Sequence, residues 1–169
     1  PGKSPFHGGF GLINADGIKK PAYWAYWMLN KLGSEVVEQS ENHIITKSGN
    51  TYQIIIWNYC YYKDNFANGD RSELTETNRD NVFQNKDITI DLSIYLNGEY
   101  EKTIYTLDKS TSALHNWIKM DAPQYPTVNQ IKELKLLSQP KIETSQINSF
   151  DISETLKPHQ VKMYLISKI

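Results

Sequence analysis

The side chains that could act as acids, bases or nucleophiles are scattered along the chain. Glu35, Glu38, Glu41, Asp64, Asp70, Glu73, Glu76 and Asp80 fall in loops or on polar strand faces. Hydrolysis through paired carboxylates needs two of them about 5–5.5 Å apart in a double-displacement site, with one held protonated. No spacing here demands such a pair, so each reads as a solvated surface acid. The histidines, His7, His43, His115 and His159, show no metal-ligand spacing. His43 and His159 stand at strand entries and are expected at the surface, whereas His7, beside Gly8 and Gly9 in an otherwise apolar loop, is the one placed to meet a ligand. Asp64 to Gly69 starts like a calcium loop, but Phe66 holds its third position and Thr75 its twelfth, where oxygen ligands are required, so a turn is expected instead. Gly9-Phe10-Gly11-Leu12-Ile13-Asn14 lacks the third glycine of a dinucleotide fingerprint and any preceding strand. Cys60 is the single cysteine; it lies in the run Ile54–Tyr62 and reads as a buried structural thiol.

The composition narrows the classes further. Over 169 residues, 18 basic side chains face 19 acidic ones, and nucleic-acid binding normally demands a basic excess or stripe. No run approaches the roughly 18 apolar residues of a membrane helix. Neither a nucleic-acid nor a membrane partner is therefore expected. Eleven Tyr and four Trp supply rings able to pack on one side and hydrogen-bond on the other. The chain opens on Pro1 with no signal-peptide pattern, so any targeting information is expected upstream of it.

The elements that would carry these residues divide at Gly33. Residues 1–20 contain Gly2, Gly8, Gly9, Gly11 and Gly17 and read as a loop passing close to other backbone or ligand. Pro21 to Leu32 reads as a helix, with Pro at its first position and Gly33 just past its end. Tyr23, Trp24, Tyr26, Trp27, Met28, Leu29 and Leu32 make it apolar on every face, so it must be covered on every face. A β-sandwich of this length covers one side. The other side implies a further body of protein.

Strands dominate after Gly33. Val36-Val37 starts one, and His43–Lys47 with Tyr52–Tyr59 form a hairpin around Gly49-Asn50. Residues 62–85 read as a long mobile excursion. Ile88, Ile90, Leu92 and Ile94 alternate with polar residues, and a turn at Asn97-Gly98 would return the chain along Glu99–Leu107, with Ile94 opposite Tyr100 and Ile90 opposite Ile104. Helices follow at Ser112–Met120 and Thr127–Leu137, the latter with a Thr127/Gln130 capping box. Strands are expected at Lys141–Gln146, Phe150–Ser153 and Val161–Ile166. The expected fold is mainly β: an antiparallel sandwich with two or three short helices.

Pro5-Phe6-His7-Gly8-Gly9-Phe10-Gly11-Leu12, then Gly17 to Ala25 and Leu32-Gly33, resembles the end of the catalytic barrel in glycoside hydrolase family 39. That family includes β-xylosidases and α-L-iduronidases. Asn116 to Pro123 and Leu156 to Val161 are weaker echoes. The resemblance implies that residues 1–33 are the last loop and helix of a (β/α)8 barrel and that residues 34–169 are its C-terminal β-sandwich. It also implies a parent enzyme that retains configuration while releasing xylose from xylo-oligosaccharides. The family's catalytic glutamates lie on earlier barrel strands, and no Asn-Glu dipeptide occurs here, so no catalytic residue is assigned to this chain. Phe6 and His7, in the matching loop, are the expected substrate contacts, and Tyr23, Trp24 and Trp27 the expected domain interface. The implied partners are the missing barrel, the oligosaccharide it holds and, as an open alternative, a second copy of this chain; no cofactor or metal is implied. The alternatives are a free-standing carbohydrate-binding sandwich, or the accessory domain of another barrel glycosidase. In this family the sandwich can also take a strand from the enzyme's N-terminus, which would leave one sheet edge unpaired here.

Overall fold

The computed structural model describes residues 5–7, 10–75 and 77–169. Gly2, Gly8, Gly9 and Glu76 lie outside them. The chain is mainly β and antiparallel, with few short helices, as its patterning predicts. Eight strands run in chain order: β1 (Glu35–Gln39), β2 (His43–Ser48), β3 (Thr51–Trp57), β4 (Ile88–Ile94), β5 (Tyr100–Leu107), β6 (Lys141–Ile147), β7 (Phe150–Leu156) and β8 (Val161–Lys168). Six form one sheet in the order β1-β2-β3-β8-β5-β6, and β4 pairs with β7 in a second, two-stranded sheet. Both sheets are antiparallel throughout.

At its centre the large sheet is buried on both faces, which explains the unbroken apolar run Ile54-Ile55-Ile56 in β3. Ile45, Ile54, Ile56, Tyr164 and Ile166 point toward Ile90, Leu92, Phe150 and Leu156 of the small sheet. Their neighbours Ile44, Ile55, Met163 and Leu165 point the other way, against α1 (Pro21–Leu29). The molecule therefore has a third layer behind the sandwich. Phe6 and Ile18 of the N-terminal loop complete that back side by packing on α3 (Ala113–Lys119) and α4 (Val128–Leu137) around Trp117 and Leu134. No helix among the described residues is long and apolar enough to cross a membrane.

Several local expectations hold. Ser48 pairs with Thr51 across Gly49-Asn50, whose glycine takes φ 57°. Thr127 Oγ1 accepts from the Gln130 amide while Gln130 Oε1 accepts from the Thr127 amide, closing the capping box. Cys60 is buried.

Others are corrected. The first helix ends at Leu29 rather than Leu32, because the Lys31 and Leu32 amides bond the carbonyls three residues back and tighten the last turn. Gly33 is no helix cap. A Cβ there would stand 2.5 Å from both the Lys47 carbonyl oxygen and Gln53 Oε1, so glycine is required by close approach to the β2–β3 hairpin. The Gly33 amide donates to Thr46 Oγ1 at 2.8 Å, which ties the helix exit to that hairpin.

The hairpin at Asn97-Gly98 is not formed. Ile94 faces Phe150 of β7, and Tyr100 pairs with β8 and β6, so the connection crosses from one sheet to the other. Leu96, buried in the connection, drops into the core and anchors that crossing. Both arrangements put Ile94 and Tyr100 in one core, which is why alternation alone did not separate them.

The stretch 62–85 is not a structureless excursion. It holds the short helix α2 (Asp64–Ala67), closed by Gly69 at φ 102°, and a 3-10 turn at Asp80–Val82. A bridge between Tyr62 and Phe83 clasps its two ends. The Tyr62 ring stacks 4.9 Å from Phe83 and 4.8 Å from Phe66.

Candidate functional site

The returning limb of that stretch, the exit of β5 and the β7–β8 turn converge on a cavity of about 340 Å3. Phe83, Leu107, Leu114 and Pro21 form its apolar wall, and Asp80, Lys109, His115 and His159 its polar end. Each polar group is held by local backbone chemistry. Asn85 Nδ2 donates to the Asp80 carbonyl at 2.8 Å and fixes the 3-10 turn that presents the carboxylate. Asp108 caps the turn Lys109–Thr111, accepting from the Ser110 amide at 2.7 Å, and so aims Lys109 inward. His159 occupies φ 60° at the third position of the Lys157–Gln160 turn, where its ring meets Phe83 edge-on at 4.5 Å.

Asp80 is the electrostatic hub. Its Oδ2 lies 2.5 Å from Lys109 Nζ and 3.0 Å from His115 Nε2. Burial alone would raise the Asp80 carboxyl, but the hydrogen bonds from Lys109 and His115 outweigh it and hold the group below the ordinary carboxylate range. Burial lowers the His159 imidazole, Lys109 and His115 lower it further, and Asp80 opposes them. Asp108 shows the same balance as Asp80: burial raises it, and bonds from Ser110 and Lys141 prevail.

Ser112, His115 and Asp80 all line this cavity and have the composition of a nucleophilic triad. Geometry denies them that role. His115 spends Nε2 on Asp80, and its Nδ1 is buried with no described group within hydrogen-bond distance, so no hydroxyl is activated. Asp80, ionised and clamped by Lys109, has no proton to give. Among the described residues no three His, Cys, Asp or Glu side chains come together to hold a metal.

A second cavity of about 280 Å3, lined by Phe6, Lys20, Pro21, Arg79, Ser112, Ala113 and Leu114, shares its wall with the first. Together they form a groove beginning at the N-terminal loop. Arg79 Nη2 donates to the Phe6 carbonyl at 2.5 Å, linking that loop to the 79–83 limb.

The residues singled out from sequence are spread over three places. Phe6 is buried with its ring 5.4 Å from Trp117, while His7 is exposed. Trp24 and Trp27 turn toward the sandwich: Trp24 Nε1 donates to the Ser138 carbonyl at 2.5 Å, and Trp27 meets Tyr105 edge-on at 5.1 Å. Tyr23 and Trp24 lie under Lys19. Among the large apolar side chains of α1, Tyr26, 62% exposed, and Leu29, 50% exposed, are the uncovered ones. His43 sits at the surface, bonded to Glu38 and Ser40. The Asp80–His115–His159 cluster escaped sequence reasoning, since its members lie 35 and 44 residues apart and no periodicity relates them.

Comparison with known proteins agrees with this architecture. The chain is 29% identical over 166 residues to a β-xylosidase of Caldicellulosiruptor saccharolyticus, covering 93% of this chain and 31% of that protein. It is 23% identical over 172 residues to a β-xylosidase of Geobacillus stearothermophilus, covering 99% of this chain and again 31% of the relative. The chain thus spans about a third of the length of the relatives it matches. A crystal structure of a monomeric β-xylosidase from Caulobacter crescentus superposes with a TM-score of 0.78 at 20% identity, covering 100% of this chain and 35% of that one, and shares its fold. The family model "Glycosyl hydrolases family 39" matches residues 2–154, and the chain belongs to that family.

Proposed function

We propose that this chain is the C-terminal, structural part of a retaining glycoside hydrolase that releases xylose from xylo-oligosaccharides, with the catalytic carboxylates on a (β/α)8 barrel preceding Pro1. Residues 1–33 would close that barrel and residues 34–169 would brace it. One observation carries the reading. Helix α1 is apolar all round, and the sandwich covers only the side bearing Trp24, Trp27 and Met28, leaving Tyr26 and Leu29 bare. A ridge of this kind marks a contact surface, and the relatives' additional length supplies a body to cover it. The lack of an acid/base pair in the groove fits a bracing role. Within this reading His7, exposed on the loop, is the residue able to reach sugar, and Phe6 supports the loop through Trp117. Among the described residues neither edge of the β4–β7 ribbon carries a further strand, which offers a place for one from the enzyme's N-terminus.

The test is hydrolysis of an aryl β-xyloside by the purified 169-residue chain and by the full-length enzyme. The chain alone is expected to be inactive and the full protein active. Turnover by the chain alone would overturn the proposal.

A further inference from the structure

Three steps in the chain place a glycine directly after an aspartate or asparagine: Asp16-Gly17, Asn68-Gly69 and Asn97-Gly98. A glycine has no Cβ to shield its amide nitrogen or to hinder its swing onto the preceding side chain, and asparagine is among the residues lost to such chemistry on heating. In two of the steps the fold occupies that nitrogen. The Gly17 amide donates to the Asn14 carbonyl and the Gly69 amide to the Phe66 carbonyl, each at 3.0 Å. Asn68 is held a second time by its own amide, which donates to the Asp64 carbonyl at 2.9 Å where α2 ends. The third step is different. Among the described residues neither the Gly98 amide nor the Asn97 side chain has a hydrogen-bond partner, and both residues are exposed. Lys168 lies over Gly98, so that a Cβ built there would stand 3.8 Å from its Nζ, and a cation beside the amide favours loss of the amide proton.

We propose that Asn97 is a deamidation site, modified in the folded protein while Asn68 is spared. The Gly98 nitrogen gives its proton to water or hydroxide and bonds to Asn97 Cγ. The Cγ–Nδ2 bond breaks, ammonia leaves, and a succinimide ring closes. Water then opens the ring at either carbonyl, giving aspartate when it attacks Cγ and isoaspartate when it attacks the main-chain carbon. The sum consumes one water, releases one ammonia and exchanges no electrons. The site lies in the connection that carries the chain from β4 to β5, between Leu96 and Tyr100, both buried in the core between the sheets. Its neighbour Glu99 accepts from the Ile169 amide at 3.1 Å, so the step also abuts the end of β8. Either product adds a carboxylate to this short span. Isoaspartate also lengthens it by one main-chain atom, because the chain then runs through the side-chain methylene, and so loosens the tie between two core anchors.

The test is a time course in mildly alkaline buffer on the full-length protein that contains this chain, once folded and once in concentrated urea. Peptides bearing Asn97 and Asn68 are quantified by mass spectrometry, and fragment ions locate aspartate and isoaspartate. In the folded protein Asn97 is expected to convert about tenfold or more faster than Asn68, whose two hydrogen bonds must open first. In urea, where those bonds are gone, the ratio of the two rates should fall close to unity. Equal rates in the folded protein, or an Asn97 that stays intact when folded yet converts in urea, would overturn the proposal. A ratio that persists undiminished in urea would overturn it as well, since the neighbouring sequence and not the fold would then select the site.

Discussion

Replacing Trp27 and replacing Tyr26, adjacent residues of one helix, should have opposite weights in the two contexts in which α1 is found. Trp27 is half-buried, 5.1 Å from Tyr105 and 6.0 Å from Trp24, with Lys31 Nζ 4.2 Å above its ring. A well-buried Trp removes on the order of 200 Å2 from water, worth about 5 kcal/mol at about 25 cal/mol per Å2. Partial exposure reduces this to about 3 kcal/mol; the lost ring contacts, about 1 kcal/mol, are roughly offset by the relief of an alanine in the helix and by partial collapse of the gap. Trp27→Ala should therefore destabilise the chain by about 3 kcal/mol, lowering Tm by roughly 6–12 °C for a domain of this size. Tyr26→Ala, on the bare side, should stay within about 0.5 kcal/mol of wild type in the 169-residue chain. In the full-length enzyme the same Tyr26 change should lower stability measurably. Thermal unfolding followed by far-ultraviolet circular dichroism reads both. Equal losses for the two variants in the short chain would refute the assignment of the helix faces.

Other substitutions probe the backbone and the charge cluster. Gly33→Ala should cost about 1–3 kcal/mol in urea unfolding, since its methyl would collide with the Lys47 carbonyl and Gln53 Oε1. Asp121 sits at φ 63° just after α3, where its amide bonds the Ile118 carbonyl and the Ala122 amide bonds that of Trp117, a glycine-type helix end. Asp121→Gly should stabilise by about 0.5–1 kcal/mol, and a fall in Tm would contradict this. His159 is held below its ordinary value, so the folded state binds its proton less readily than the unfolded chain does. Its contribution is complete above about pH 6.5 and is lost as the pH falls from there toward the folded value. Tm measured from pH 7.5 to 5 should decline less steeply in His159→Gln than in wild type, whatever the variant's absolute stability; parallel slopes would exclude His159 as a source of that decline.

Sequence patterns carried the elements whose causes are local. Pro21 started a helix, Gly49-Asn50 turned a hairpin, and Thr127 with Gln130 capped α4, each through contacts within a few residues. Errors began where a partner was remote. Gly33 follows a helix in sequence, yet its side-chain limit is set by Lys47 and Gln53. The alternation of β4 identified its buried face and could not say whether β5 or β7 lay alongside, because either satisfies that face. The groove was least legible. Asp80, Lys109 and His159 come together with His115 of α3 because three connections end at one corner, and none of those connections has a repeating pattern. The helix was legible as apolar on every face, but which side it turns to the sheet, Trp24 and Trp27 inward and Tyr26 and Leu29 outward, required the register of α1 on the sheet.

The strand order has a consequence for how the chain is made. β8, which follows the other seven described strands in the sequence, lies in the middle of the large sheet, pairing with β3 over seven positions on one side and with β5 over eight on the other. Until it leaves the ribosome, β1–β3 and β5–β6 are two half-sheets with no strand between them, and Ile54, Ile56 and Tyr100 lack Tyr164 and Ile166 as neighbours. The large sheet can therefore close only once β8 is available, since domains fold as units while synthesis proceeds from the N-terminus. Deleting Val161–Lys168 would remove the joint between both halves.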